Sequence, residues 1–114
     1  MGCSHERAIV SSRIEMLKAI LERQPEDEFA QYALALEFVK AGDGEQAARL
    51  FMGLIDRSPN YLATYYQYGV LLMELGQEQE AADILRKGVE VADKAGEMHA
   101  KEELLEALGD LDSG

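Results

Sequence analysis

With 114 residues the chain can form one domain around one hydrophobic core, and its hydrophobic share of 47% is normal for a globular protein. Lys and Arg total 11 against 22 Asp and Glu, so the formal net charge is −11. This charge excludes nucleic acid and anionic membranes as favourable partners and would attract a basic or amphipathic protein.

The composition also favours an all-α fold in a reducing compartment. Helix-forming residues dominate and runs of β-branched residues are missing. The single cysteine, Cys3, has no partner for an internal disulfide, and the chain has neither an apolar run of about 18 residues nor a secretory h-region. We therefore predict a cytoplasmic protein without membrane contact.

The first residues predict a disordered leader followed by a helix. Residues 1–11 show no helical periodicity, whereas Ser12 is a good N-cap and Glu15 completes a capping box. An apolar stripe follows, and Pro25 ends the helix because the residue before a proline avoids the α region. The stripe consists of Ile14, Leu17, Ile20 and Leu21.

Five further helices are predicted, separated by Gly and Pro. Gly42, Pro59, Gly76 and Gly96 mark the breaks, since glycine supplies the left-handed conformation that ends many helices. The last helix has one apolar stripe opposite an acidic face, as an exposed end of a helical stack requires. The predicted helices cover about residues 27–41, 45–57, 61–75, 78–94 and 97–111, and residues 112–114 form a short tail.

A 34-residue interval relates the helices in pairs. It places Tyr32 on Tyr66, Gly42 on Gly76 and Ala47 on Ala81, while the first helix aligns with the second half of each unit. Repeats of this length bury their apolar faces by stacking on their neighbours. The domain therefore covers residues 12–111, with full repeats at about 28–61 and 62–95, half a repeat before them and a capping helix at about 97–111.

These repeats resemble the tetratricopeptide repeat, whose pattern is Trp-x2-Leu-Gly-x2-Tyr, then Ala-x3-Phe, then Pro, in a helix–turn–helix unit. The first copy has Gln31, Leu34, Ala35, Phe38, Ala47, Phe51 and Pro59 at these positions, and the second has Tyr65, Tyr68, Gly69, Leu72, Ala81, Leu85 and Asp93. Gln31 for Trp and Asp93 for Pro are the two departures that keep neither size nor polarity. The resemblance implies an antiparallel helical solenoid in which the small residues lie at helix crossings.

The resemblance also implies a binding groove on the first helix of each unit. The predicted partner-binding residues are Phe29, Tyr32, Leu36, Val39 and Lys40 in the first copy, and Tyr66, Val70, Met73 and Glu74 in the second. The Lys, Asn and Arg clamp with which some relatives hold a C-terminal carboxylate is absent from the equivalent positions. Tyr65 and Tyr68 align with packing positions of the unit and are predicted to be core.

The predicted function is a non-catalytic module that holds a peptide or helical segment of another protein. The alternative is a self-associating scaffold in which a homodimer buries the apolar groove. No nucleophile–base grouping or phosphate loop suggests an enzyme. Cys3, His5 and His99 are too few and too scattered for a structural zinc site, so neither metal nor cofactor is predicted.

Overall fold

The computed structural model describes the backbone of residues 2–113 and the side chains of residues 12–111. This part of the chain contains six α-helices and no β-strand, which confirms the predicted all-α class. The helices are α1 (Gly2–Arg23), α2 (Glu28–Lys40), α3 (Gly44–Arg57), α4 (Ala63–Glu74), α5 (Glu78–Ala95) and α6 (Met98–Ser113). The chain forms two compact units, Met1–Leu54 and Ile55–Gly114.

Helix α1 corrects the prediction of a disordered leader. It begins at Gly2, ten residues before the predicted start at Ser12. Residues 3–11 contain neither proline nor glycine, and each residue that joins an existing helix adds one backbone hydrogen bond. The capping-box residues Ser12 and Glu15 therefore lie inside the helix. At the other end α6 reaches Ser113, so most of the predicted tail is helical as well; the side chains of Cys3 and His5 lie outside the described residues.

The first unit is built on α2. Asp27 caps this helix by accepting a hydrogen bond from the backbone N–H of Ala30 at 3.0 Å. Helix α1 packs on α2, where Lys18 Nζ lies 5.9 Å from the centre of the Phe38 ring. The Tyr32 ring on α2 lies 6.4 Å from the Phe51 ring on α3. The buried apolar residues of this unit are Ala30, Leu34, Ala35, Phe38, Ala47, Phe51 and Leu54.

In the second unit, α4 packs against both α5 and α6. Two glycines allow this approach. A Cβ atom on Gly69 would lie 2.5 Å from Leu85 Cδ2, and one on Gly88 would lie 2.7 Å from Tyr65 Cβ and 3.1 Å from Leu104 Cδ1. The predicted apolar stripe of α6 (Ala100, Leu104, Ala107, Leu108 and Leu111) is buried or half-buried, whereas its acidic side chains Glu102, Glu103, Glu106 and Asp110 are exposed.

The structure explains why Gln31 can stand where the repeat pattern has Trp. Gln31 Nε2 donates a hydrogen bond to the backbone carbonyl of Pro25 at 2.6 Å. In the next copy, the hydroxyl of Tyr65 donates to the carbonyl of Pro59, also at 2.6 Å. Gln31 and Pro25 lie 34 residues before Tyr65 and Pro59, so both copies fasten the inter-repeat turn to the following helix by the same bond.

Asp93 replaces the proline expected at the end of the second repeat and has two consequences. Helix α5 continues to Ala95, as the missing proline predicts. The Asp93 carboxylate also accepts a hydrogen bond from Lys101 Nζ on α6 at 2.7 Å. This hydrogen bond and the positive charge of Lys101 lower the pKa of Asp93.

The packing of Gly88 predicts opposite effects for two Gly→Ala substitutions. Gly88→Ala should lower the free energy of unfolding by about 1–3 kcal/mol, because Tyr65 Cβ is tied to the α4 backbone and cannot move aside freely. Gly109→Ala in α6 adds a methyl group that meets no neighbouring side chain or helix within 4 Å, so it should raise stability by about 0.5–1 kcal/mol. Urea unfolding of both variants measures the difference, and equal effects would contradict this packing.

The Asp93–Lys101 pair predicts a local pH dependence. The folded pKa of Asp93 lies below its unfolded value, so the contribution of this pair is present above about pH 4 and is lost as the pH falls through the folded pKa. Lys101→Gln should raise the pKa of Asp93 towards its ordinary value. An NMR titration of the Asp93 carboxyl checks this, and Lys94→Gln, which leaves the hydrogen bond intact, is the matched control.

Candidate functional site

The predicted binding residues of the first unit lie along α2 with graded exposure. Phe29 on the first turn exposes 69% of its surface, and Lys40 on the last turn is also exposed. Tyr32, Leu36 and Val39 between them are half-buried. The buried side of α2 is formed by Leu34, Ala35 and Phe38 instead. This helix therefore presents an aromatic and aliphatic strip that the fold of its own unit does not fully cover.

The predicted residues of the second unit lie along α4. Tyr66, Val70 and Met73 are half-buried, and Glu74 at the end of the helix is exposed. Steps of three and four residues place them along one side of the helix. Tyr65 and Tyr68 belong to the core, with 0% and 5% of their surfaces exposed, and this confirms their predicted packing role. Burial raises the pKa of both phenols, and the charge of Glu80 raises that of Tyr68 further.

A cleft between α1 and α2 adds residues that the sequence analysis missed. It has a volume of about 300 Å³. Leu36 and Lys40 belong to the predicted set, but the other lining residues do not: Arg13, Met16, Leu17, Ala33 and Glu37. One signal was present in the sequence, because Arg13 stands 34 residues before Ala47 and 68 before Ala81. A long, positively charged side chain at a position where both full copies have alanine indicates that a different constraint acts on this position in α1.

The electrostatic centre of this cleft is the carboxylate of Glu37, whose side chain is only 7% exposed. Its Oε1 lies 3.5 Å from Arg13 Nη1 and its Oε2 lies 3.4 Å from Lys40 Nζ. Oε2 receives no hydrogen bond despite that contact. Arg13 and Lys40 are themselves 58% and 61% exposed. One carboxylate thus holds two cations at the mouth of an otherwise apolar cleft, which leaves a local charge of +1 on an acidic protein.

The described residues show neither a metal site nor a membrane span. No three His, Cys, Asp or Glu side chains among them come close enough together to hold a metal ion. None of the helices within the described residues combines the length and apolar character that crossing a membrane requires.

The Arg13–Glu37 pair predicts a difference between two arginine substitutions. Arg13→Ala removes a partner of a buried carboxylate and should lower the free energy of unfolding by about 1 kcal/mol. Arg49→Ala removes an exposed partner of exposed Glu45 (Arg49 Nη2–Glu45 Oε1, 3.0 Å) and should change it by less than about 0.5 kcal/mol. Urea denaturation of the two variants gives the comparison; a larger loss for Arg49→Ala would contradict the role assigned to Glu37.

Comparison with known proteins places the fold among repeat proteins. A family model described as tetratricopeptide repeat matches residues 38–105. A tetratricopeptide repeat domain protein from Salinibacter ruber is similar in its crystal structure, with 35% identity over 77% of this chain and 98% of that one, and a TM-score of 0.73. The solution structure of that Salinibacter ruber domain gives 36% identity, 78% and 90% coverage and a TM-score of 0.75.

More distant structures share the fold. A protein from Bordetella parapertussis has 20% identity over 88% of this chain and 87% of that one, with a TM-score of 0.77. The crystal structure of MamA has 15% identity over 96% and 70% of the two chains, with a TM-score of 0.68. No curated protein sequence matches this chain significantly.

Proposed function

The chain belongs to the tetratricopeptide repeat family, as its resemblance predicts, and on that premise we propose that it is a non-catalytic module that binds a peptide or helical segment of a partner protein. Repeats of this family generally mediate contacts between proteins and carry out no chemistry. The proposed contact residues are those predicted on α2 and α4. The observation that carries the proposal is the exposure of Phe29.

Phe29 has the properties of a binding anchor. It is a large aromatic side chain on the first turn of α2, and 69% of its surface is exposed. An exposed phenylalanine contributes little to the stability of the fold, whereas aromatic residues often dominate the energy of protein interfaces. Half-buried Tyr32 and Leu36 continue along the same helix. Together they suit the apolar face of a helix or of a hydrophobic peptide.

The charge of the chain supports a basic or amphipathic partner. A net charge of −11 accelerates the approach of positively charged proteins and repels nucleic acid. Exposed Glu74 at the end of α4 is the acidic member of the proposed contact set. The protein is proposed to act in the cytoplasm and without a cofactor.

Self-association is the second candidate function, and a different observation favours it. Large apolar side chains are also exposed outside α2, namely Met16, Ile20, Met52, Leu75, Met98 and Leu105. Apolar patches on small proteins often lie in contacts between proteins. Sedimentation equilibrium at micromolar concentration separates the candidates, because a scaffold would form a stable dimer or a larger assembly on its own.

We expect a photo-crosslinker at position 29 to capture the partner. Replacing Phe29 with benzoylphenylalanine keeps an aromatic side chain on the first turn of α2. The matched control carries the same group at Met52, which is 54% exposed on α3 and lies outside the predicted groove. Irradiation in cell extract, followed by mass spectrometry, should give a discrete heterologous adduct at position 29 only.

Two other outcomes of the crosslinking experiment would contradict the proposal. Equal adducts at positions 29 and 52 would mean that position 29 has no specific contact. An adduct consisting of a second copy of this chain would support the scaffold function.

A further inference from the structure

The second unit shows what a cleft of the α1–α2 type accommodates. A shift of 68 residues aligns α1 with α5 and α2 with α6. In the second unit α4 packs against both α5 and α6. Gly69 of α4 lies against Leu85 of α5, and Gly88 of α5 lies against Tyr65 of α4 and Leu104 of α6. The equivalents of Leu85 and Leu104 are Leu17 and Leu36, which both line the α1–α2 cleft.

In the 68-residue alignment no separate helix within the described residues of the first unit falls opposite α4, because the residues that align with its end belong to α1. Residues 2–23 form the single helix α1, and the turn after it leads directly into α2. Two apolar side chains of α1 are exposed, Met16 by 60% and Ile20 by 37%. The cleft therefore has the lining that receives a helix in the second unit, and its apolar surface lies in solvent.

Two substitutions relative to the second unit decide which helix fits. Ile20 stands where α5 has Gly88, so a side chain as large as Tyr65 cannot enter at that point. Arg13 stands where α5 has fully buried Ala81. A helix that crosses there meets a guanidinium group, and an apolar side chain would desolvate this charge without compensation. A carboxylate would pair with it instead.

The ion cluster prepares this position for an anion. The buried Glu37 carboxylate lies 3.5 Å from Arg13 Nη1 and 3.4 Å from Lys40 Nζ, while both cations remain more than half exposed. The antiparallel course of α4 and α5, in which Tyr65 meets Gly88 and Gly69 meets Leu85, gives the direction of the incoming helix. Its C-terminal end would lie near Arg13 and Lys40. The partial negative charge of a helix C-terminus is favourable beside cations.

We propose that the α1–α2 cleft binds an amphipathic α-helix of a partner protein, inserted antiparallel to α1, that places a carboxylate between Arg13 and Lys40. The inference deepens the proposed function and rests on it, since Leu36 and Lys40 belong to both contact sets. It also names chemistry that the net charge of the chain does not suggest. The partner is acidic at this point of contact, although the chain as a whole attracts bases.

The geometry of α4 defines a spacing for the incoming helix. On the incoming helix, a small residue takes the place of Tyr65 and faces Ile20, the equivalent of Gly88. Four positions later, a second small residue takes the place of Gly69 and lies on Leu17, the equivalent of Leu85. One further turn places the acid opposite Arg13. Leu72 marks that position in α4, because it is three residues after Gly69 and only 2% exposed.

A synthetic peptide based on α4 tests the proposal. The acidic probe has the sequence of residues 61–76 with Tyr65→Ala and Leu72→Glu. A second probe, the lysine probe, has the same sequence with Tyr65→Ala and Leu72→Lys. Fluorescence anisotropy with the whole protein should show saturable binding of the acidic probe, with an affinity at least about tenfold above that of the lysine probe. The difference should shrink as salt is added.

Variants of the protein locate the binding. Met16→Glu places a charge on an exposed position of the cleft and should weaken binding of the acidic probe by about tenfold or more. Met52→Glu makes the same change on α3, outside the cleft, and should leave the affinity unchanged. Lys40→Gln should reduce the preference for the acidic over the lysine probe. Circular dichroism melts check that each variant remains folded.

Several results would overturn the inference: no saturable binding, equal affinity of the two probes, or equal losses from Met16→Glu and Met52→Glu. Dimerisation of the unmodified protein that Met16→Glu abolishes would assign the cleft to a second copy of this chain instead. If the probes fail while the crosslinker at position 29 still captures a protein, only the cleft assignment falls. If position 29 captures nothing either, the proposed function falls with it.

Discussion

The close approach of helices at small residues is the constraint on which the second unit depends. Gly69 lies on Leu85, and Gly88 lies on Tyr65 and Leu104, at distances that leave no room for a methyl group. A protein interior is packed as densely as an organic crystal, so these contacts fix where α4 meets α5 and α6. The half-buried positions Tyr66, Val70 and Met73 follow from that placement. The side of α4 that remains partly exposed is therefore a consequence of where the glycines are.

The first unit presents the repeat halves in a different order from the second. Helix α1 aligns with α5, and Leu17 and Leu36, which align with Leu85 and Leu104, line a cleft. Arg13 in place of alanine and Ile20 in place of glycine remove the features that would admit a helix like α4. Glu37 is buried beneath two exposed cations. A carboxylate there is costly to bury, and its two ion pairs offset that cost while they hold both cations at the mouth of the cleft.

The sequence predicted the architecture well because repetition multiplies weak signals. Gly42, Gly76 and Gly96 end helices with positive φ angles of 79°, 80° and 73°, as their spacing indicates. The predicted start of α1 at Ser12 was wrong, because a capping-box pattern such as Ser12 and Glu15 occurs equally well inside a continuous helix. The departures at Gln31 and Asp93 had no explanation in the sequence. Each makes a hydrogen bond, to Pro25 and to Lys101, that only a folded chain brings within reach.

The order of helices, the turns between them and the small residues at the crossings were thus determined by the sequence, since they depend on local conformation and on a fixed period. The tertiary structure decided which side chains remain exposed on those helices. Phe29 and Phe38 are nine residues apart and therefore lie on opposite sides of α2, but both sides carry apolar residues, and only the fold shows that Phe29 is 69% exposed and Phe38 7%. Likewise, Glu37 meets Arg13 across 24 residues of sequence. Exposure and long-range pairing depend on what neighbouring helices cover, and no pattern within one helix contains that information.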